Sequence, residues 1–268
     1  MFPIRANKVL EKLRKGEIPL GMQMYTPSPE IYELVGYAGF DYAMLDMEHS
    51  RVNDETMLNL LRAGENAGLT MYVRVAANEP KRLRYALESG AMGIVIPHIK
   101  TKEDVIAVKN AMRYPPIGHA GICPAIRAAG YSEDNWEAYM NFSNENVQLI
   151  CLIEDVEGVE NCDEIFSLLT PGLDGYGLGL ADLAHSLMKP GEKVNWQHPF
   201  CKTARETVIP SGKKHNLWNQ AMAYAANKET VEATRAAGAD IILFHPDQHI
   251  FLAHLKSMIS ACRGDKLD

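Results

Sequence analysis

Residues 41–50, DYAMLDMEHS, begin as an apolar strand and end in a crowd of polar groups, Asp46, Glu48 and His49. The same change of character closes VQLICLIE at 147–154, where Glu154 follows an almost unbroken apolar run. Strands that are apolar on both faces are covered on both sides, as in parallel sheets flanked by helices. Parallel strands around one barrel send their C-terminal ends to one face, and that face carries the chemistry of barrel enzymes. Buried strands ending in charge therefore point to one fold and one location for a site.

Six further runs have strand length: PLGMQMY (19–25), TMYVRV (70–75), AMGIVIP (91–97), LDGYGLGL (173–180), LWNQAMAY (217–224) and DIILFHP (240–246). Amphipathic segments separate them. NDETMLNLLRAGENAG (53–68) has an acidic first turn and a glycine stop, and 79–91, 101–114 and 227–240 follow the same plan. Eight strands alternating with helices predict an α/β protein, a (β/α)8 TIM barrel, with an open doubly wound sheet as the alternative. ANKVLEKLRKG reads as a helix before the first strand and HIFLAHLKSMISACRGD as a last helix. Residues 115–146 are too long for a plain connection and are predicted to form an excursion over the barrel top with a short helix. No linker, repeat or low-complexity tract appears, so residues 1–268 are assigned to one barrel domain.

Composition narrows the function. The net charge of −7 and the absence of a basic run argue against a nucleic-acid partner. No apolar stretch of about 18 residues is present, so no membrane span is expected. The charged beginning, MFPIRANKVLEKLRKGEIPLG, has no apolar signal-peptide region. Five scattered cysteines without a CxxC pair suit a reducing cytoplasm and no structural zinc.

Reading the strand ends in order gives Asp46, Glu48 and His49, then Arg74, then Glu154 and Asp155, then Asp182, then His245 and Asp247. Each has a plainer reading. Asp182, Asp155 and Asp247 could cap helices or hold turns, and His49 could be a satisfied loop histidine. Arg74, inside MYVRV, needs an anion, and Glu154 needs a cation if it points into the barrel mouth. Glu154 and Asp182 together form a hard oxygen site suited to Mg²⁺ or Mn²⁺ with positions left for a 2-oxo acid. The metal would act as a Lewis acid and Arg74 would face a developing oxyanion. The glycines of DGYGLGLAD would let the backbone of Gly179, Leu180 and Ala181 bind a carboxylate. They do not form GxGxxG, so no dinucleotide site is assigned.

In order and spacing, DYAMLDMEHS, YVRV, IVIPHIKTKEDV, RYPPIGHAGI, IRAAGY, LIEDVEGVEN and GLGLADLAHSL resemble the HpcH/HpaI family of metal-dependent pyruvate aldolases, over about residues 17–255. The resemblance implies a (β/α)8 barrel whose last helix is exchanged between subunits in a homohexamer of dimers. It implies Mg²⁺, Mn²⁺ or Co²⁺ on Glu154 and Asp182, oxyanion stabilisation by Arg74, and His49 at the base position with Asp46 and Glu48 in the same motif. It also pairs that histidine with an acid after the third strand, here Glu88 in place of the family's aspartate. The implied reaction cleaves a 4-hydroxy-2-oxo acid to pyruvate and an aldehyde. Four further positions depart from the family pattern: Leu152 for glutamine, Leu180 for proline, Ala120 for arginine, and His245 at the end of the eighth strand, where it is expected to line the acceptor site. The other readings are decarboxylation of a 2-oxo acid such as oxaloacetate, another C–C or C–P cleavage, a Schiff-base aldolase using Lys100, and a non-catalytic barrel that binds an acidic metabolite.

Overall fold

Each strand pairs in parallel with the next, and β8 pairs back to β1, so the sheet closes into a barrel. In the computed structural model, which describes residues 5–264, the chain runs through α1 (Lys8–Arg14), β1 (Leu20–Met24), α2 (Pro29–Tyr37), β2 (Tyr42–Asp46), α3 (Asp54–Asn66), β3 (Thr70–Arg74), α4 (Pro80–Ser89), β4 (Gly93–Ile96) and α5 (Lys102–Met112). It continues through α6 (Trp136–Asn146), β5 (Gln148–Ile153), α7 (Val156–Glu160), α8 (Cys162–Ser167), β6 (Gly175–Leu178), α9 (Leu180–Ser186), α10 (Pro199–Lys214), β7 (Trp218–Ala223), α11 (Lys228–Ala236), β8 (Ile241–Phe244) and α12 (Asp247–Arg263). Every strand lies within two residues of its predicted bounds, and closure rules out the open doubly wound sheet. Met1–Ile4 of the charged N-terminal stretch, and Asp265 of the expected last helix, lie outside the described residues.

Local chemistry sets the helix ends. Thr101 and Asp104 form a capping box at the start of α5, each side chain accepting from the other's backbone N–H. Gly90 ends α4 in the left-handed region at φ +109°, where glycine carries no Cβ penalty.

Strand parity then decides what points inward. Tyr42 and Met44 of β2, Tyr72 of β3, Val95 of β4, Ile150 of β5, and Ile241 and Leu243 of β8 fill one interior cluster, with Leu152 packed against it. The alternate residues, such as Ala43, Leu45, Val73, Cys151 and Ile153, face the helices in a second, larger cluster. Val9, Leu10 and Leu13 of α1 belong to the interior cluster, so α1 closes the N-terminal end of the barrel. Burial of each such side chain contributes about 1.5–3 kcal/mol. One step further along the inward parity lie Asp46, Arg74 and, just past β5, Glu154. Polar groups thus begin where the apolar filling stops.

The segment between α5 and α6 differs from expectation. It does not cross the barrel top. It joins the end of a helix to the start of β5, and both lie at the N-terminal end of the barrel. Arg127 donates to Ser89 O (2.6 Å) and pairs with Glu65, at the ends of α4 and α3. Asn7 of the N-terminal region donates to Asn146 O (2.8 Å). Tyr114, Ala120, Ile126, Ala129, Trp136 and Tyr139 give this segment a small core of its own.

The last helix is present, but α12 buries no residue against its own barrel. Phe251, Leu252, Leu255, Met258 and Ile259 stand exposed along it. No helix among the described residues is long and apolar enough to cross a membrane.

Candidate active site

The site begins with the turn after β2. Asp46 is fully buried. Its Oδ1 accepts from the backbone N–H of Glu48 (2.9 Å) and of His49 (3.0 Å), which fixes the turn. Its Oδ2 accepts from Gln23 Nε2 (2.8 Å), Arg74 Nε (3.1 Å) and Arg74 Nη2. Strand register places Asp46 directly beside Arg74. Burial opposes the charge on Asp46, but Arg74 and the hydrogen bonds from His49 and Gln23 outweigh it and hold the carboxyl below its usual range. With both oxygens engaged, Asp46 is an anchor for Arg74 and for the turn.

Arg74 is 7% exposed, and its other arm faces Glu48, with Nη1 at 3.1 Å from Oε2. Two carboxylates therefore hold one guanidinium at the mouth. Burial works against its charge, yet Asp46 and Glu48 keep it charged, its pKa raised further above the ordinary arginine value. His49 is half exposed, with Nε2 at 3.8 Å from Glu48 Oε2.

Glu154 lies across the mouth on the next strand but one. It is 2% exposed, and its Oε1 accepts from the backbone N–H of His98 (2.9 Å). Burial first, then the nearby charges of Asp182 and Glu48, push its carboxyl up to about 7, against the opposing pull of His98. Gly179 lies against the other oxygen: a Cβ built there would stand 2.2 Å from Glu154 Oε2. Only glycine lets the β6–α9 turn approach this closely. Asp182 sits in the first turn of α9, whose N-cap position is Gly179 with no side-chain cap bond, so the capping reading of Asp182 is not met. A nearly dry carboxylate facing a second one calls for a cation, and hard oxygen donors suit a divalent ion. Among the described residues no group of three or more His, Cys, Asp or Glu side chains is arranged to hold a metal ion by itself. An ion held by Glu154 and Asp182 would therefore keep coordination positions open.

The remaining expected residues fall in distinct places. Leu180 is half-buried at the start of α9 and Ala181 is exposed beside it. His245, past β8, packs against the Tyr224 ring at 4.5 Å between centroids, and its Nδ1 lies 3.4 Å from that of His249. Burial, then His249, lowers its pKa. Asp247 ties down the β1–α2 loop, accepting from Tyr25 N (2.9 Å) and Thr26 N (3.1 Å). Asp155 occupies the N-cap position of α7 without a side-chain cap bond, and reaches instead to His98 Nδ1 (2.9 Å) and Lys100 Nζ (3.2 Å). Glu88 does not meet His49 within the chain. It pairs with Arg84 one turn earlier on α4, which runs back from the strand C-terminal face, so Glu88 lies at the opposite end from His49.

Three residues of the mouth escaped the sequence reading: Gln23, Tyr25 and His98. Gln23 bridges Asp46 Oδ2 and the Tyr25 hydroxyl (3.2 Å). Burial and the charge of Asp46 push that hydroxyl up to about 12, so it stays a neutral donor. Gln23 and Tyr25 share the inward parity of β1, and His98 follows the apolar run of β4. A polar residue near the C-terminal end of an inward-facing row was the available signal.

A profile of the HpcH/HpaI aldolase/citrate lyase family matches residues 21–252. The chain belongs to this family. It is 31% identical over 215 residues to a 5-keto-4-deoxy-D-glucarate aldolase of Klebsiella pneumoniae, covering 80% of each chain. It is 34% identical over 172 residues to a 2-dehydro-3,6-dideoxy-6-sulfogluconate aldolase of Pseudomonas putida, a match spanning 64% of this chain and 66% of that relative. Its fold superposes on a family member from Burkholderia cenocepacia with a TM-score of 0.85 and 29% identity, covering 96% of this chain and all of the other.

Proposed function

We propose that this chain is a divalent-metal-dependent aldolase that cleaves a 4-hydroxy-2-oxo acid to pyruvate and an aldehyde. The carrying observation is the buried Glu154, close enough to feel the charge of Asp182, at the same barrel mouth as an arginine clamped by Asp46 and Glu48. The aldolase names of the family relatives favour this reading over the decarboxylase and binding-protein alternatives.

Glu154 and Asp182 would hold the cation, Mg²⁺, Mn²⁺ or Co²⁺. Once bound, it supplies Lewis acidity to the keto and carboxylate oxygens of the 2-oxo acid. The backbone of Gly179, Leu180 and Ala181 at the start of α9 binds that carboxylate. Arg74 donates to the C4 oxygen, where charge develops as its proton leaves and the C3–C4 bond breaks. Asp46 and Gln23 keep the guanidinium in place before substrate arrives. His49 takes the C4 hydroxyl proton, the aldehyde departs, and C3 of the remaining three-carbon fragment is protonated to give pyruvate. His245 and Tyr224 line the acceptor side. Lys100 is ion-paired with Asp155. A Schiff-base route needs a lysine at a strand end with its nitrogen free to attack, whereas Lys100 lies in the loop after β4 with its nitrogen held by Asp155.

The exposed apolar row of α12 supports exchange of this helix between subunits of a hexamer built from dimers. In such an assembly His49 meets Glu88 of a second copy. Five free cysteines, three of them buried, support a cytoplasmic setting.

The decisive experiment measures pyruvate release from a panel of 4-hydroxy-2-oxo acids, with EDTA and with each metal restored. Activity lost in EDTA and regained with Mg²⁺, Mn²⁺ or Co²⁺ is expected. Full activity in chelator, or borohydride trapping of pyruvate on Lys100, overturns the proposal.

A further inference from the structure

We infer that His98 is a positioning residue of the candidate metal centre and that it acts through its backbone. Its left-handed turn aims the amide N–H at Glu154 Oε1 and leaves Oε2 as the oxygen presented to the cation. The inference rests on the proposal that Glu154 and Asp182 hold the metal.

The path of the chain produces this aim. β4 pairs with β5 as far as Ile96 against Cys151, and then leaves the sheet. Ile99 returns to it, its N–H donating to Leu152 O (3.2 Å). Between these two points His98 adopts φ +53°. Positive φ is uncommon outside glycine, although histidine, asparagine and aspartate tolerate it better than other residues. Among the described residues only Tyr131 and Asn216 share it without being glycine, and neither belongs to the groups gathered at the mouth. Here the unusual conformation turns an N–H onto a carboxylate that is 2% exposed.

The side chain fixes the turn from both sides. Nδ1 lies 2.9 Å from Asp155 Oδ2, and Asp155 is held in turn by Lys100. Nε2 lies 3.7 Å from Glu48 Oε1. Imidazole thus spans the ends of β2 and β5, its Nδ1 standing 3.8 Å from Glu154 Oε1, while the hydrogen bond to that oxygen comes from the amide. On the other side, Gly179 leaves no room for a Cβ beside Oε2, which places that oxygen against the turn leading to Asp182. One oxygen is occupied by a hydrogen bond and the other lies against Gly179, three residues before Asp182.

The test is Mn²⁺ binding, read from the electron paramagnetic resonance signal of free Mn²⁺, on the full chain and on His98→Gly, His98→Asn, His98→Ala and His98→Val. Glycine and asparagine keep the N–H and tolerate the left-handed turn, so both are expected within about twofold of wild type. Valine, β-branched, is expected to weaken binding by about tenfold, the scale for losing an outer partner of a metal ligand. Alanine, under milder strain than valine, is expected to fall between them and serves if the valine variant does not fold. Glycine and alanine equally weak would assign the role to the imidazole and overturn the inference, as would unchanged binding in both alanine and valine variants. If wild type does not bind Mn²⁺, or if Glu154→Gln binds it as well as wild type, the metal proposal itself fails and takes this inference with it.

Discussion

Arg74 shows how a single residue is prepared before a substrate arrives. Free arginine loses side-chain entropy when it is fixed over a reacting oxygen, but here Asp46 and Glu48 have already fixed it. Asp46 is itself held by two backbone amides and Gln23, so the chain of support ends in the main chain of the β2 turn. A donor set in advance needs no reorganisation as charge develops. Arg74→Ala is therefore expected to lower kcat by roughly 10²–10³-fold, the scale for removing one oxyanion donor. Arg74→Lys should recover only part of this, because a point charge cannot engage Asp46 Oδ2 through two nitrogens while facing Glu48. Steady-state kinetics on the best substrate of the panel checks both. A near-normal kcat with a raised KM in Arg74→Ala would leave the residue as an acceptor-binding group alone.

At the scale of the element, the strands were legible because almost every residue of a barrel strand is buried, and a continuous apolar run carries that fact in one dimension. Asp46, Arg74 and Glu154 were legible for the same reason: a charge ending such a run stands out. Gln23 and Tyr25 were less so, because a neutral polar residue inside an apolar strand gives a weak contrast. His98 depends on a backbone dihedral that its side chain does not announce. The excursion at 115–146 was misplaced because its length was visible but its anchors, Arg127 on Ser89 O and Asn7 on Asn146 O, join residues far apart in sequence. Invisible on the same ground was Arg113, 1% exposed at the end of α5. It pairs with Asp174 before β6 (2.6 Å) and donates to Val147 O (2.7 Å). Removing one partner of a buried pair costs about 3–5 kcal/mol because a charge is left uncompensated. Asp174 also accepts from Leu149 N (3.1 Å) and Thr170 N (2.9 Å). Asp174→Ala is thus expected to lower the urea midpoint more than Arg113→Met does. Equal midpoints would mean that the two backbone amides find other partners.

For the whole molecule, the unmatched feature is α12. Phe251, Leu252, Leu255, Met258 and Ile259 stand exposed on one helix that buries no residue on its own barrel. Apolar rows of this kind are covered by another surface in the working protein. A second copy is the occupant we propose, and it would bring the proposed pairing within reach: Glu88 lies at the opposite end of the barrel from His49 and could meet such a histidine only from a neighbour. Phe251→Glu combined with Leu255→Glu places two charges in the row without touching the mouth. The expected outcome by sedimentation is dissociation to smaller species. Mn²⁺ binding should persist, since Glu154, Asp182, Gly179 and His98 come from one chain. Turnover should fall at least as far as in Glu88→Ala, because His49 loses its partner in both. Adding Glu88→Ala to the dissociated variant should then cost nothing further, as expected of two changes that break one pairing. A double-charge variant that sediments like wild type sinks the exchange of α12. One that dissociates but keeps full turnover leaves the assembly standing and returns Glu88 to its contact with Arg84.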